Sequence, residues 1–322
     1  GIPITDRHRA NGDALATVKL FKLLLAKDSK KTIIQEAVKL NPRKQIDTKL
    51  RDIIADLPST TGVYYMHNAN GTVIYIGKSK NIKKRVNQHF TSDHRKAKKI
   101  QEDVETVSYD ETGSELVALL KENEEIKGIK PRHNRALRRT KFKTQLVQFI
   151  DDAGYINLKL EKANPNTESI TTFATSHSAK QYLEKMLAEY NLCQSKMGLH
   201  QTSGNCFNYT IKECEGACVG EEAPEQYNER VQQFISKHSF ENKNFLIIDR
   251  GRSVDERSVI LIEEGQFKGY GFYNLNFQIN NLEILERIIT PMHDNRDARH
   301  LIQSYLRTRK VIKTLELAEL EK

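Results

Sequence analysis

Residues 62–79 read GVYYMHNANGTVIYIGKS. Two β-prone runs, Val63–Met66 and Val73–Ile76, flank a polar insert that ends in Asn70-Gly71. That dipeptide between such runs is a strong tight-turn signal, so the stretch is read as a β-hairpin. The tyrosines at 64, 65 and 75 need a separate reason, because β-branched residues would suffice to fold it. Lys78 follows directly on the glycine that ends the second run.

The flanking pattern is helical. Beyond Asn81, Ile82, Val86 and Phe90 recur at four-residue spacing as an apolar stripe, and Arg85 and His89 share an adjacent face. Val104–Tyr109 reads as a third strand. Thr112-Gly113-Ser114-Glu115 has the form of a capping box and opens a helix to about Lys127, with Leu116, Leu119, Leu120 and Ile126 on its core face. Pro131 stops its continuation.

Upstream, residues 13–27 and 32–40 have helical periodicity, and 41–56 is a polar linker. Downstream, strands are expected at Thr144–Ile150, Tyr155–Leu160, Ser169–Ala174, Asn244–Asp249, Ser258–Ile262 and Gly269–Leu275. Helices are expected around 178–190, 224–237, 281–289 and 295–310. The class is therefore α+β, with no internal repeat.

Composition narrows the function. The 322 residues are 38% hydrophobic, enough for two or three modest cores. No apolar run approaches a membrane span, and cytoplasm is the default compartment. The net charge of +9 is uneven. Lys78–Lys99 holds nine Lys/Arg against one acid, Asp93, and Lys127–Lys143 holds eight Lys/Arg and no acid. Solvated helix faces can carry such runs, but this density suits phosphate neutralisation on a polyanion better. Lys80, Lys83, Lys84, Lys98, Lys99, Arg132, Arg135, Arg138 and Arg139 are the expected DNA-facing cations.

The ordered set Gly62-Val63-Tyr64, Tyr75-Ile76-Gly77-Lys78, NIKKRV and KENEEIKGIKPRHN resembles the GIY-YIG nuclease domain of the UvrC/Cho excinuclease type, over about residues 57–140. The resemblance implies a small central antiparallel sheet flanked by helices. It also implies metal-assisted hydrolysis of a DNA phosphodiester by Tyr64, Tyr75, Lys78, Arg85, His89, Glu122 and Asn134. A lone carboxylate at Glu122 suits Mg²⁺ or Mn²⁺, which keep several waters. Arg85 offers a planar fork to phosphate oxygens. Tyr64 is expected to activate the water, helped electrostatically by Lys78 and Arg85 against an ordinary phenol pKa near 10. His89 stands where many UvrC-type members carry tyrosine, so its role is open between sharing the base's duty and binding phosphate. Asn134 is expected to support the site.

Cys193, Cys206, Cys214 and Cys218 fall within 26 residues, and their segment resembles the cysteine region that follows the nuclease domain in UvrC and Cho. Without Cys-x2-Cys pairs it is a poor zinc ribbon. Four thiolates hold either zinc or an iron–sulfur cluster, and the resemblance favours [4Fe–4S]. The expected division is 141–240 for a UvrC/Cho-like region with these cysteines and 241–322 for a degenerate RNase H-like or accessory α+β region, where Asp249 alone falls near a plausible catalytic position.

At the other end, His8 and Asp13 in DRHRANGDALAT resemble the last motif of DEDDh 3′–5′ exonucleases, of the DNA polymerase III epsilon class. Residues 1–40 are therefore read as the remnant of an exonuclease domain, and the sequence, opening at Gly1, as a piece of an exonuclease–endonuclease fusion. Two rival readings follow: a proofreading-type exonuclease whose main domain lies elsewhere, and an inactive DNA-binding adaptor. DNA is the expected partner, with a UvrB-like damage-recognition protein or the replication and repair machinery beside it.

Overall fold

The computed structural model describes residues 17–20, 22–24, 47–138, 142–164, 166–200, 204–276 and 282–319. By packing, the chain divides into Gly1–Arg51 and a compact unit, Asp52–Lys322. In the first, residues 17–20 and 22–24 are helical. His8 and Asp13 lie outside the described residues. Helix α1 (Thr48–Ala55) occupies part of the segment read as a linker.

The compact unit begins with the hairpin, β1 (Gly62–His67) and β2 (Val73–Ser79), paired antiparallel. Its loop is wider than an Asn-Gly turn. Asn68 organises it, its side chain accepting from the N–H groups of Asn70 and Thr72, while Gly71 takes the positive φ of 75°. Helix α2 (Ile82–Thr91) follows, capped by Asn81 and burying Ile82, Val86 and Phe90, as the four-residue stripe requires.

Helix α3 (Arg95–Asp103) has no counterpart among the expected elements; only Ala97 and Ile100 are buried in its run of lysines. It delays the third strand, β3 (Thr106–Glu111), which pairs with β1 and gives the sheet order β2-β1-β3. Helix α4 (Glu115–Ile129) is capped by Ser114 rather than Thr112: the Ser114 hydroxyl accepts from Leu116 and Val117 N–H, whereas Thr112 Oγ1 is spent on the Ser114 carbonyl.

Beyond the nuclease-like hairpin, β4 (Thr144–Ile150), β5 (Ile156–Lys162) and β6 (Thr171–Phe173) form a second sheet, order β5-β4-β6. It shares a core with α5 (Ser176–Glu189) and α7 (Pro224–His238), and short α6 (Phe207–Thr210) lies between those helices in sequence. The last sheet, order β10-β9-β8-β7-β11, uses β7 (Phe245–Arg250), β8 (Glu256–Glu263), β9 (Gln266–Asn274), β10 (Ile289–Pro291) and β11 (Lys313–Glu316). Helices α8 (Leu282–Ile288) and α9 (Arg296–Thr308) accompany it. No helix among the described residues is long and apolar enough to cross a membrane.

Helix α4 belongs to two cores. Ala118 and Ile126 pack against Val63 and Ile76 of the hairpin. Leu116, Val117 and Leu120 pack with Phe245, Ile247, Ile260, Ile262 and Phe267 of the last sheet and with Leu301 and Ile302 of α9. Polar contacts hold the same side: Ser114 Oγ donates to Asp249 Oδ2 (2.7 Å), Lys127 pairs with Asp297, and His293 Nδ1 lies 2.9 Å from Glu124 Oε1. Replacing a fully buried leucine here removes its transfer energy and leaves a cavity. Leu120→Ala is therefore expected to lower the unfolding free energy by about 2–5 kcal/mol in chemical denaturation, while Ile129→Ala, on a residue 51% exposed, leaves the midpoint nearly unmoved.

Candidate active site

Strand alternation puts Tyr64, Tyr75 and Gly77 on the sheet face covered by α2. Gly77 stands opposite Tyr64, and a Cβ there would overlap the Tyr64 hydroxyl. That close approach accounts for the glycine. The Tyr64 and Tyr75 rings lie 6.1 Å apart between centroids, and His89 of α2 closes the group at 6.0 and 5.0 Å from them. Tyr64 Oη lies 2.8 Å from His89 Nε2.

The electrostatics differ from the expectation that nearby cations ease Tyr64 toward ionisation. Burial pushes its pKa well above the ordinary phenol value, the Tyr75 hydroxyl adds to this, and Arg85 only opposes it. Tyr75 is raised by burial and by the Glu122 carboxylate, again against Arg85. His89 moves the other way: burial, then Arg85 and Lys96, lower it to about 4. Near neutral pH the centre thus holds protonated phenols beside a neutral imidazole, whose Nε2 is placed to accept the Tyr64 proton.

Glu122 enters from α4. Ala118, Glu122 and Ile126 recur every four residues, so Glu122 lies in the stripe that faces the hairpin. It is buried, and its Oε1 accepts the Lys78 backbone N–H at 3.0 Å. Asn134 is also buried. Its side-chain oxygen accepts from Ile76 N–H (2.8 Å) and its amide donates to Ile76 O (2.7 Å). Arg85 is exposed beside the tyrosines and donates to Gln88 Oε1 at 3.1 Å.

The Lys78 side chain is directed elsewhere. Its ammonium lies 2.8 Å from Glu115, which Lys80 also meets at 3.0 Å. Against the burial that would raise it, these two lysines hold the Glu115 carboxyl below its ordinary range. Lys96 lies over Tyr75, its ammonium 4.9 Å from the ring centroid. No sequence signal distinguished Lys96 from its neighbours, because α3 was not recognised as a helix.

The expected DNA-facing cations divide. Lys80, Lys84, Lys98, Lys99 and Arg135 are exposed. Lys83 donates to Ala55 O, Arg132 pairs with Asp103, and Arg138 donates to the carbonyls of Lys130 and Pro131, so these three also fasten local structure. Arg139 lies outside the described residues.

Far along the chain, the sulfurs of Cys193, Cys206 and Cys218 lie within 4.8 Å of one another, with Cys218 and Cys206 3.8 Å apart. Cys214 packs against the same core, half-buried. Burial pushes the Cys193 thiol up to about 12, so without a bound cation it stays protonated. Thiolates on one tetrahedral ion with bonds near 2.3 Å sit roughly 3.8 Å apart, so the donor set fits a thiolate-ligated metal centre.

A two-tyrosine hairpin backed by a helical glutamate and a supporting asparagine defines a GIY-YIG domain, and the UvrC-like GIY-YIG domain matches residues 60–135. The middle domain of UvrC/Cho excinucleases matches residues 148–237, so over these two segments the chain is homologous to the UvrC and Cho proteins. UvrABC system protein C of Psychrobacter cryohalolentis is 34% identical over 208 residues, covering 62% of this chain and 34% of that protein. Excinuclease cho of Escherichia coli O157:H7 is 34% identical over 193 residues, covering 58% of this chain and 64% of that protein. The chain thus spans about a third of the UvrC relatives it matches and just under two thirds of Cho. The magnesium-bound N-terminal endonuclease domain of Thermotoga maritima UvrC is 30% identical over 27% of this chain and 98% of its own, with a TM-score of 0.26.

The depressed His89 pKa has a pH signature. In the folded chain His89 takes up its proton near pH 4, and in the unfolded chain near 6.5. Between those values the unfolded chain binds the extra proton, so the stability due to the neutral ring is full above about pH 6.5 and is lost as the pH falls toward 4. Denaturation midpoints should rise from pH 4 to 6.5 in the wild type and rise less in His89→Gln.

Proposed function

We propose that the chain is a metal-dependent endonuclease that makes single-strand cuts in bacterial DNA during excision repair, acting in the cytoplasm. The observation that carries this reading is the convergence of Tyr64, Tyr75, His89, Arg85 and a buried Glu122 on one end of a three-stranded sheet. The names of the UvrC and Cho relatives support incision as the activity.

Glu122 would hold Mg²⁺ or Mn²⁺, which when bound polarises the phosphate and stabilises the leaving oxygen. Tyr64 orients the attacking water and takes its proton while passing its own to His89 Nε2; the water oxygen bonds to phosphorus as one P–O bond of the phosphodiester breaks. The neutral His89 makes this relay feasible for a phenol that burial keeps protonated. Arg85 and Lys96 offset the charge gathering on the phosphate. Lys78 acts through its backbone N–H, which orients Glu122, and Asn134 fixes the strand that carries Tyr75. Lys80, Lys84, Lys98, Lys99 and Arg135 neutralise neighbouring phosphates, and a UvrB-like protein would present the damaged site. An inactive adaptor would not need the Tyr64–His89 contact or a buried carboxylate at the sheet edge, and the exonuclease reading rests on His8 and Asp13 alone.

Plasmid nicking with Mg²⁺ or Mn²⁺ tests the site. Glu122→Ala is expected to abolish nicking, and Tyr64→Phe to slow it by about 10²–10⁴-fold. Nicking at the wild-type rate in Glu122→Ala overturns the proposal.

We further infer that Cys193, Cys206, Cys214 and Cys218 hold a thiolate-ligated centre, iron–sulfur or zinc, that stabilises the region around α5 and α7. Protein purified without oxygen should carry stoichiometric iron with broad visible absorbance, or stoichiometric zinc without colour. A metal-free preparation with four titratable thiols and unchanged stability counts against it.

A further inference from the structure

The positive surface does not end at the nuclease centre. A pocket of about 360 Å³ opens beside it, where residues before α4 meet the ends of β7 and α9; its walls include Lys80, Glu115, Arg250, Tyr305, Arg309 and Lys310. The position is built. Gly113 packs against the backbone of Gly251, where any Cβ would overlap the Gly251 carbonyl, and Ser114 Oγ donates to the buried Asp249 at 2.7 Å. These contacts bring Arg250, Arg309 and Lys310, from the far end of the chain, to the edge of the hairpin that carries Lys78 and Lys80.

The charge inside is one-sided. Of its two carboxylates, Glu115 is held by Lys78 and Lys80, and Asp249 is buried against Ser114. The cations Lys80, Arg250, Arg309 and Lys310 remain exposed at the rim. The pocket also has a fixed relation to the proposed cut. Glu115 precedes Glu122 by two turns of α4, about 10 Å along the axis at 1.5 Å per residue, which is about three steps of a nucleic-acid strand at 3.4 Å each.

We propose that this pocket is a second phosphate-binding subsite, in which Arg250, Arg309 and Lys310 hold the backbone of the cleaved strand a few nucleotides from the scissile phosphate. The proposal rests on the nuclease reading above and assigns to the C-terminal region a share in holding the substrate. Exposed cations at a rim, rather than a closed polar cage, suit a continuous backbone that must be threaded and released. Such contacts give position and salt dependence without sequence preference.

The test uses the full chain, a fluorescent DNA oligonucleotide and anisotropy titrations over a range of salt without divalent metal. The double variant R309Q/K310Q removes two phosphate contacts, so its slope of log affinity against log salt should be about 2 shallower than wild type. Its affinity at about 0.1 M salt should fall at least tenfold. With metal added, KM for DNA should rise while kcat at saturation is kept. R250Q should lose about one unit of slope, and Lys180→Gln, on the exposed face of α5, should behave as wild type. Both Arg309 and Lys310 are exposed, and a thermal melt checks that the variants fold. An unchanged slope in folded R309Q/K310Q overturns the proposal, as does a slope change matched by Lys180→Gln, which would indicate net charge alone. The nuclease reading is tested on a different variant: nicking that survives in Glu122→Ala sinks that reading, whatever the salt slopes show.

Discussion

The outer edge of β2 is the constraint on which the site depends. Among the described residues, the order β2-β1-β3 leaves one side of β2 without a neighbouring strand, and N–H and C=O groups there must find partners or stay open to water and to other chains. Side chains and one loop partner four groups of this edge. His133 N–H donates to Ile74 O at 2.9 Å, the Asn134 amide takes both the N–H and the C=O of Ile76, and Glu122 accepts the Lys78 N–H. An asparagine side chain has the same donor and acceptor pair as a peptide group, so it can stand in for a strand. A glutamate can only accept, and it meets the outward N–H of Lys78. That bond also fixes the carboxylate, one oxygen tied to the backbone of the strand that bears Tyr75. Held in this way, the carboxylate would lose little conformational freedom on taking the proposed metal ion.

On the other face, packing and reactivity pull in opposite directions. Covering Tyr64 and Tyr75 with α2 secures the helix that carries Arg85 and His89, but it strips water from the phenols and makes their ionisation costly. The same burial, with Arg85 and Lys96 nearby, keeps His89 neutral. One cause thus raises the proton donor and lowers the acceptor, which leaves a donor–acceptor pair 2.8 Å apart near neutral pH and no phenolate. The proton-accepting role proposed for His89 rests on this environment more than on its position on the helix.

The hairpin, α2 and the stop at Pro131 were legible because local rules dictate them: alternation, a four-residue stripe, a ring without an N–H. The longer strands and helices beyond residue 144 were placed to within a few residues for the same reason, whereas the short α6, β10 and β11 have no counterpart among the expected elements. What stayed hidden depended on tertiary contact. Lysines dominate Arg95–Asp103, so its two buried positions, Ala97 and Ile100, gave no periodic signal, and with the helix the placement of Lys96 over Tyr75 was missed. Lys78 looks catalytic in the motif, but Glu115, the first residue of α4, captures its ammonium. Ser114 rather than Thr112 is the cap, and its hydroxyl donates to Asp249, 135 positions away, a partner that no local pattern announces. Asp249 itself, suspected of chemistry from its neighbourhood in sequence, is spent on that bond.

Helix α4 shows why these gaps share a cause. Apolar residues surround it on more than one side, so periodicity reveals that it is buried and not against what. The structure resolves two stripes. Ala118, Glu122 and Ile126 face the hairpin, while Leu116, Val117, Leu120, Glu124 and Lys127 face the C-terminal sheet and α9. Because both cores grip one rigid rod, a displacement of the C-terminal sheet must either break the apolar contacts of Leu116, Val117 and Leu120 or carry Glu122 away from the Lys78 N–H. Packed interiors resist the first course, since lost contacts leave cavities. The C-terminal region is therefore mechanically coupled to the site, and the Ser114–Asp249 bond at one end of α4 and the Lys127–Asp297 pair near the other set the helix along its axis.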